Sequence, residues 1–278
     1  MRYLSHQDSG TSDEGITRRS FVKAAFSITV SSCFIHWTTA QVRCANRAKE
    51  ASISRIIVFD VIETMLDISA LEPHFERVFG DKRVLREWFS QLLLYSEVAT
   101  IAGPYFDFST IAGAALEMTA ASHKLTLSST EKAQIWKAML SLPPHKDVHD
   151  ALKLLCDAEL RLVTLTNSNQ RAMEEQLKNA GIENYFEREF SVDSVRKYKP
   201  APETYRMVAK ELNVTTDDLR MVAAHAWDII GAMQAGSAAA FVTRPGKVLN
   251  PLAVKPDIVG NDLLAVAEEI IRIELPEE

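Results

Sequence analysis

Four separated segments of the chain follow an apolar run with polar side chains whose chemistry suits catalysis. These side chains are Asp60 with Thr64, Thr166 with Asn167 and Ser168, Lys199, and His225 with Asp228. An aspartate serves as a nucleophile, a lysine keeps a nearby carboxylate ionised, and a histidine exchanges protons near neutral pH. One such aspartate alone is usually a turn or capping residue. Four groups that follow four apolar runs indicate an active site instead.

The apolar runs predict buried strands, because they are short and are separated by helical patterns. They cover residues 55–60, 160–165, 190–192, 221–224 and 239–242. Strands that alternate with helices predict an α/β fold with a doubly wound, Rossmann-like parallel sheet. Since the carboxyl ends of parallel strands share one edge of the sheet, we expect the polar side chains to meet there.

One long segment interrupts this alternation. Between residues 68 and 141, apolar residues recur at three- and four-residue spacing, as in Phe75, Val78 and Phe79, which is typical of amphipathic helices. We interpret residues 68–141 as a helical cap domain. It is inserted into a core domain that residues 51–67 and 142–278 form.

The composition favours a small-molecule substrate. The 278 residues include 37 acidic and 31 basic side chains, which gives a formal net charge of −6. Nucleic-acid binding relies on Lys and Arg that neutralise phosphates, so no nucleic-acid partner is expected. Three cysteines are too few for a four-ligand zinc site, and the histidines show no ligand spacing. The sequence therefore predicts neither a metal nor a cofactor.

The four polar segments, taken with their neighbours, resemble the motifs of the haloacid dehalogenase (HAD) superfamily, in its type II L-2-haloacid dehalogenase branch. The matching residues are 59–67, 165–168, 191–200 and 224–232, in the family's order. The resemblance implies a HAD-like parallel sheet with an inserted helical cap. It also implies a hydrolase that converts an (S)-2-haloacid and water into an (R)-2-hydroxyacid and halide.

In the mechanism that this resemblance implies, Asp60 attacks the carbon that bears the halogen and forms an ester, which water then cleaves. Lys199 keeps Asp60 ionised, and Thr64 hydrogen-bonds it. The other implied roles are carboxylate binding for Thr166, halide contact for Asn167, an apolar wall for Trp227, and water positioning or activation for Asp228.

Ile62 separates this chain from the phosphatases of the same superfamily. Those enzymes are expected to carry a second aspartate two residues after the nucleophile, as general acid and magnesium ligand. Ile62 transfers no proton and binds no cation, and Asp228 is the acid that remains in the fourth motif. Because magnesium prefers several oxygen ligands, phosphoryl transfer is disfavoured, and Ile62 is expected to face the substrate instead.

Two further positions depart from the dehalogenase pattern. The cap arginine that grips the leaving halide in the family aligns with Phe89, while Arg86 lies about one helical turn away. Arg86 is either a substitute for that arginine or a solvated surface residue. His225 replaces an asparagine, and it is either a general base or a histidine held by a backbone hydrogen bond at a strand end.

Two other functions compete with dehalogenation. One is a HAD hydrolase of another small carboxylate or phosphate ester. The other is a catalytically silent periplasmic protein that kept the fold. Asp60 and Lys199 argue against the silent protein, because scaffolding requires neither.

The N-terminal 45 residues are expected to be a signal peptide and linker, separate from the fold. Residues 17–23, which contain Arg18 and Arg19, resemble a twin-arginine export signal and precede a short apolar run. We expect cleavage near Ala40, or lipid attachment at Cys33 as an alternative. The sequence thus predicts a periplasmic protein that meets the twin-arginine export machinery. Type II relatives also make a homodimer an expectation.

Overall fold

A computed structural model describes residues 55–275, and its core is a single six-stranded sheet. All the strand pairs are parallel, in the order β3-β2-β1-β4-β5-β6. The strands are β1 (Ile56–Phe59), β2 (Leu162–Thr166), β3 (Arg188–Ser191), β4 (Leu219–Ala223), β5 (Ala238–Val242) and β6 (Ile258–Gly260). This order confirms the predicted doubly wound α/β fold.

The core segment contains five α-helices, and their apolar faces are buried. They are α5 (Val148–Asp157), α6 (Gln170–Asn179), α7 (Pro202–Leu212), α8 (Ala226–Gln234) and α9 (Leu263–Glu274). The sequence did not predict β6. This edge strand has only three residues and its central Val259 is half exposed, so it lacks the apolar run that marks the other strands.

The segment that we interpreted as a cap contains four α-helices and no strand among its described residues. They are α1 (Glu72–Phe79), α2 (Val84–Ala102), α3 (Phe108–Ser122) and α4 (Ser129–Leu140). Trp88 is fully buried between them, lies with its ring tilted against Phe75 at 5.3 Å between centroids, and donates a hydrogen bond to the carbonyl of Ala112 at 3.0 Å. The buried apolar residues of this segment belong to the same continuous core as those of the sheet.

The predicted export segment, including Arg18, Arg19 and Cys33, lies outside residues 55–275. Within that range, none of the helices combines the length and the apolar character that a membrane span requires.

Candidate active site

Asp60 lies directly after β1, at the carboxyl edge of the sheet, and its side chain is only 7% exposed. Its backbone N–H donates to the carbonyl of Val222 in β4 at 3.0 Å. The Thr64 hydroxyl donates to Asp60 Oδ2 at 2.6 Å and accepts the N–H of Ala224 at 2.9 Å. Thr64 therefore ties the nucleophile candidate to the end of the neighbouring strand.

Lys199 is fully buried and directs all three of its donors at oxygen atoms. Its Nζ lies 2.8 Å from Asp60 Oδ1, 2.7 Å from Asp228 Oδ2 and 2.8 Å from the carbonyl oxygen of Leu165. The backbone N–H of Lys199 donates to Asn167 Oδ1 at 3.0 Å. A lysine ammonium has three donors, so this one is saturated and rigidly placed.

Asp228 occupies the first turn of α8 and is completely buried. Its Oδ1 accepts the hydroxyl of Tyr205 at 2.7 Å, while Oδ2 is held by Lys199. Helix α8 approaches closely here because Gly231 has no side chain: a Cβ atom would lie 2.6 Å from the Tyr205 hydroxyl oxygen. Sequence reasoning missed Tyr205, which the pattern marks only as one apolar position of α7.

The charges around Asp60 favour its ionised form. Burial alone would raise the pKa of Asp60, but the Lys199 ammonium and the hydrogen bond from His225 hold it well below its usual range. Burial likewise opposes the charge of Lys199, yet Asp228 and Asp60 outweigh it and raise the lysine pKa. Burial and the neighbouring Asp60 charge raise the pKa of Asp228. The site thus presents an anionic nucleophile against a fixed cation.

The oxygens of this cluster do not fit a divalent cation. Lys199 Nζ stands between the carboxylates of Asp60 and Asp228, within 2.8 Å of each. Ile62 supplies no ligand atom, and among the described residues no group of three or more His, Cys, Asp or Glu is arranged to hold a metal ion. The ammonium therefore occupies the place between the carboxylates that a metal ion would need.

His225 contacts the other oxygen of Asp60. Its Nδ1 lies 3.0 Å from Asp60 Oδ2, and its Nε2 lies 2.8 Å from Glu63 Oε2. Lys247 donates to the same Glu63 oxygen at 2.6 Å, and Trp227 stacks on the imidazole with ring centroids 4.8 Å apart. The ring is thus held by two carboxylates, whereas the sequence left open a backbone hydrogen bond.

These neighbours shift the titration of the pair. Burial would lower the pKa of His225, but its hydrogen bonds to Asp60 and Glu63 raise it. Burial would raise the pKa of Glu63, but His225 and Lys247 lower it. Sequence reasoning assigned no role to Glu63, although it adjoins Thr64, and gave no signal for Lys247, which lies far along the chain.

A cavity of about 350 Å³ opens beside this pair, between the cap and the core. Glu63 and Lys247 line it from the core, and Arg86 and Phe89 line it from α2. Phe89 is buried, whereas Arg86 is exposed and lies close to Gly246. The structure therefore places both predicted cap residues at the same cavity as Glu63 and Lys247, whereas Asp60 does not line it.

The remaining predicted residues lie around the cluster in different ways. Thr166 Oγ1 accepts the N–H of Ser168 at 3.1 Å, and Asn167 holds the backbone of Lys199. Ile62 is buried two residues after Asp60 and does not line the cavity. The structure thus brings together the predicted catalytic side chains more tightly than the predicted substrate contacts.

Comparisons with known proteins agree with this geometry. A model of the haloacid dehalogenase-like hydrolase family matches residues 55–236. The (S)-2-haloacid dehalogenase 2 of Pseudomonas sp. (strain CBS-3) is 28% identical over 211 residues, which cover 75% of this chain and 92% of that protein. The haloacetate dehalogenase H-2 of Moraxella sp. (strain B) is 27% identical over 203 residues, 72% of this chain and 91% of that protein. The structure of the L-2-haloacid dehalogenase from Xanthobacter autotrophicus shares the fold, with a TM-score of 0.74 and 24% identity over 81% of this chain and 100% of that one.

Proposed function

Because the chain belongs to the haloacid dehalogenase-like hydrolase family, we propose that it hydrolyses an (S)-2-haloacid to the (R)-2-hydroxyacid and halide. One observation carries this proposal: the Asp60 carboxylate is buried against the Lys199 ammonium at 2.8 Å, with Ile62 where a phosphatase needs an acid. The dehalogenases of Pseudomonas and Moraxella that resemble the chain support the same reaction class.

The geometry suits a displacement in two steps. An oxygen of Asp60 attacks the carbon that bears the halogen, the carbon–halogen bond breaks, and the halide leaves with the bonding electrons. The product is an ester between Asp60 and the substrate. Water then attacks the Asp60 carboxyl carbon, which releases the hydroxyacid and restores the nucleophile. Lys199 serves both steps, because its charge stabilises the carboxylate before attack and again after hydrolysis.

The cavity next to Glu63 has the chemistry to admit a short haloacid. Arg86 and Lys247 offer positive charge to the substrate carboxylate or the departing halide, while Leu85 and Phe89 offer an apolar wall for its carbon chain. Small-molecule sites typically combine an apolar lining with a few polar groups in this way.

Halide release from 2-chloropropionate tests the function against its competitors. We expect chloride release that does not depend on magnesium and that is lost in Asp60→Asn. Hydrolysis of a phosphate monoester that depends on magnesium, with no halide release, would support a phosphatase instead. Inactivity on haloacids, small esters and phosphate esters in a folded protein would favour the silent protein.

We also propose that the protein is exported by the twin-arginine route and acts in the periplasm. The support is the sequence of residues 17–23, with Arg18 and Arg19 before a short apolar run. Replacing both arginines with lysine should leave the precursor in the cytoplasm. Unchanged periplasmic recovery of this double variant would contradict the proposal.

A homodimer is a further proposal, supported by an exposed apolar stripe on α2. Leu94, Val98 and Ile101 are 50%, 42% and 85% exposed at one-turn spacing. Sedimentation of the wild type should give twice the monomer mass, and Val98→Glu should return it to the monomer. A monomeric wild type at micromolar concentration would contradict this assembly.

A further inference from the structure

The Glu63–His225 pair extends the active site beyond Asp60 and Lys199. Its role in the reaction rests on the proposed dehalogenation. We propose that Glu63 is a positioning residue for ester hydrolysis. It holds His225 with Nδ1 directed at the Asp60 carboxyl group, so that His225 takes a proton from the water that cleaves the aspartyl ester.

The contacts form a continuous line from nucleophile to cavity. Asp60 Oδ2 and His225 Nδ1 are 3.0 Å apart, and His225 Nε2 and Glu63 Oε2 are 2.8 Å apart. Lys247 Nζ lies 2.6 Å from the same Glu63 oxygen and helps to hold the carboxylate in place. The side chains of His225 and Glu63 are 5% and 15% exposed, so neither rotates freely into solvent.

The backbone of Glu63 adopts a conformation that a glutamate rarely takes. Its φ is +65°, in the left-handed region, and its N–H donates to the carbonyl of Leu66 at 2.8 Å. Non-glycine residues persist in this region mainly where the surrounding structure enforces it, often at functional sites. A turn that suits glycine thus carries a long acidic side chain, and that side chain reaches His225.

The other polar groups around Asp60 are less suited than His225 to take a proton from water, because each is held by partners within the buried cluster. Both oxygens of Asp228 are hydrogen-bonded, one to Lys199 and one to Tyr205. Lys199 is a cation with all of its donors used. The Thr64 hydroxyl oxygen already accepts the N–H of Ala224. His225 is therefore the group best placed to act as the base.

Ester formation itself converts His225 from a proton donor into a base. In the free enzyme both ring nitrogens face carboxylates, which raises the pKa of His225 and favours the imidazolium. Once Asp60 is esterified, it loses its charge, and the imidazolium releases the Nδ1 proton to solvent. Glu63 keeps the Nε2 proton in place, so the free electron pair is on Nδ1. The charged groups that act on the ring are Asp60 and Glu63, with Lys199 and Lys247 behind them.

His225 handles both protons of the attacking water during ester hydrolysis. The water oxygen bonds to the Asp60 carboxyl carbon while His225 Nδ1 takes one water proton. As the ester C–O bond breaks, that proton passes to the oxygen of the departing 2-hydroxyacid. The second water proton remains on the new carboxylic acid of Asp60 and moves to His225. The carboxylate and the imidazolium are both restored.

The decisive experiment compares the two steps in Glu63→Gln by rapid quench with 2-chloropropionate. Halide release in the first turnover should stay within about threefold of the wild type, while hydroxyacid release should slow by at least about tenfold; loss of the acid behind a catalytic histidine costs up to about 10⁴-fold. The aspartyl ester should accumulate on Asp60, visible by mass spectrometry. Glu117→Gln, which removes a carboxylate paired with Lys132 on the cap surface, should change neither rate.

Titration of His225 by NMR supplies a readout that is independent of activity. In Glu63→Gln its pKa should fall, and Lys247→Met should move it less. Equal slowing of halide and hydroxyacid release in Glu63→Gln, or no change in either, would overturn the proposal while leaving the dehalogenase function intact. A wild type that releases no halide would instead refute the function, and this proposal with it.

Discussion

The two oxygens of Asp60 face regions of opposite character. Oδ1 faces Lys199, whose ammonium is locked between two carboxylates in a fully buried part of the core. Oδ2 faces Thr64 and His225, and through His225 it is connected to Glu63 at the edge of the cavity. The Lys199 side is fully buried and each of its polar atoms has a partner, while the His225 side leads towards the cavity.

This difference suggests a division of labour within one carboxylate. The Lys199 side fixes charge, because each of its donors and acceptors already has a partner and burial strengthens the electrostatic interactions. The His225 side handles protons, because an imidazole between two carboxylates changes its protonation when one of them becomes an ester. Substitutions on the two sides of Asp60 should therefore slow different steps of the reaction.

Lys199→Met should have the largest effect, because it removes the fixed charge entirely. The variant leaves Asp60 and Asp228 as buried carboxylates without a cation, which typically lowers the free energy of unfolding by about 3–5 kcal/mol. Halide release should also be lost. Urea unfolding and halide assays measure both, with the exposed Lys153→Met as control, where a change within about 0.5 kcal/mol is expected. A stable, active Lys199→Met would show that the buried ammonium is not required for halide release.

His225→Gln should have the next largest effect, confined to hydrolysis. Loss of a general base typically slows a step by about 10²–10⁴-fold, so hydroxyacid release should slow by that range while first-turnover halide release persists. Rapid-quench kinetics separates the two. If halide release slows equally, the two sides of Asp60 act in the same step and the division of labour is wrong.

The two regions also differ in how far the sequence predicts them. Asp60, Lys199 and Asp228 were predicted because each belongs to a polar segment that parallel strands bring to one edge. Glu63 and Lys247 were not, since Glu63 lies in the turn after β1 and Lys247 in the loop after β5, where no strand or helix pattern indicates which side chains meet. A strand pattern predicts which edge of the sheet a segment reaches, but it does not predict which side chains of the loops contact each other there.

Substitutions in the cap should have a smaller effect on the rate, because they act on the departure of the halide. Phe89 supplies no cationic donor, and one preorganised donor to a developing anion is worth about 10²–10³-fold in rate. Phe89→Arg should therefore accelerate halide release from 2-chloropropionate, unless the new charge is buried without a partner. Arg86→Ala is the control. Loss of halide release in folded Arg86→Ala, with no gain in Phe89→Arg, would make Arg86 the halide-binding residue.

The smallest expected effect is on the pH dependence of stability. The pKa of His225 is raised by folding, so its contribution is fully present below about pH 6.5, the ordinary histidine value, and is lost as pH rises through the folded pKa. Glu63 has the opposite sign, because its lowered pKa stabilises the fold above the ordinary glutamate range and this is lost on acidification. Thermal unfolding of His225→Gln should show a flatter alkaline limb than the wild type. The same loss of stability at alkaline pH in the variant and the wild type would mean that Asp60 and Glu63 do not stabilise the charged form of His225.

A single turnover in ¹⁸O-labelled water shows whether Asp60 becomes covalently attached to the substrate. With enzyme in excess over 2-chloropropionate, mass spectrometry of the digested protein should find the label in the Asp60 carboxylate, because water attacks the carboxyl carbon of the enzyme. The hydroxyacid from that turnover should contain no label. Label in the hydroxyacid, with unlabelled Asp60, would mean that water displaces the halide directly and that no ester forms on Asp60.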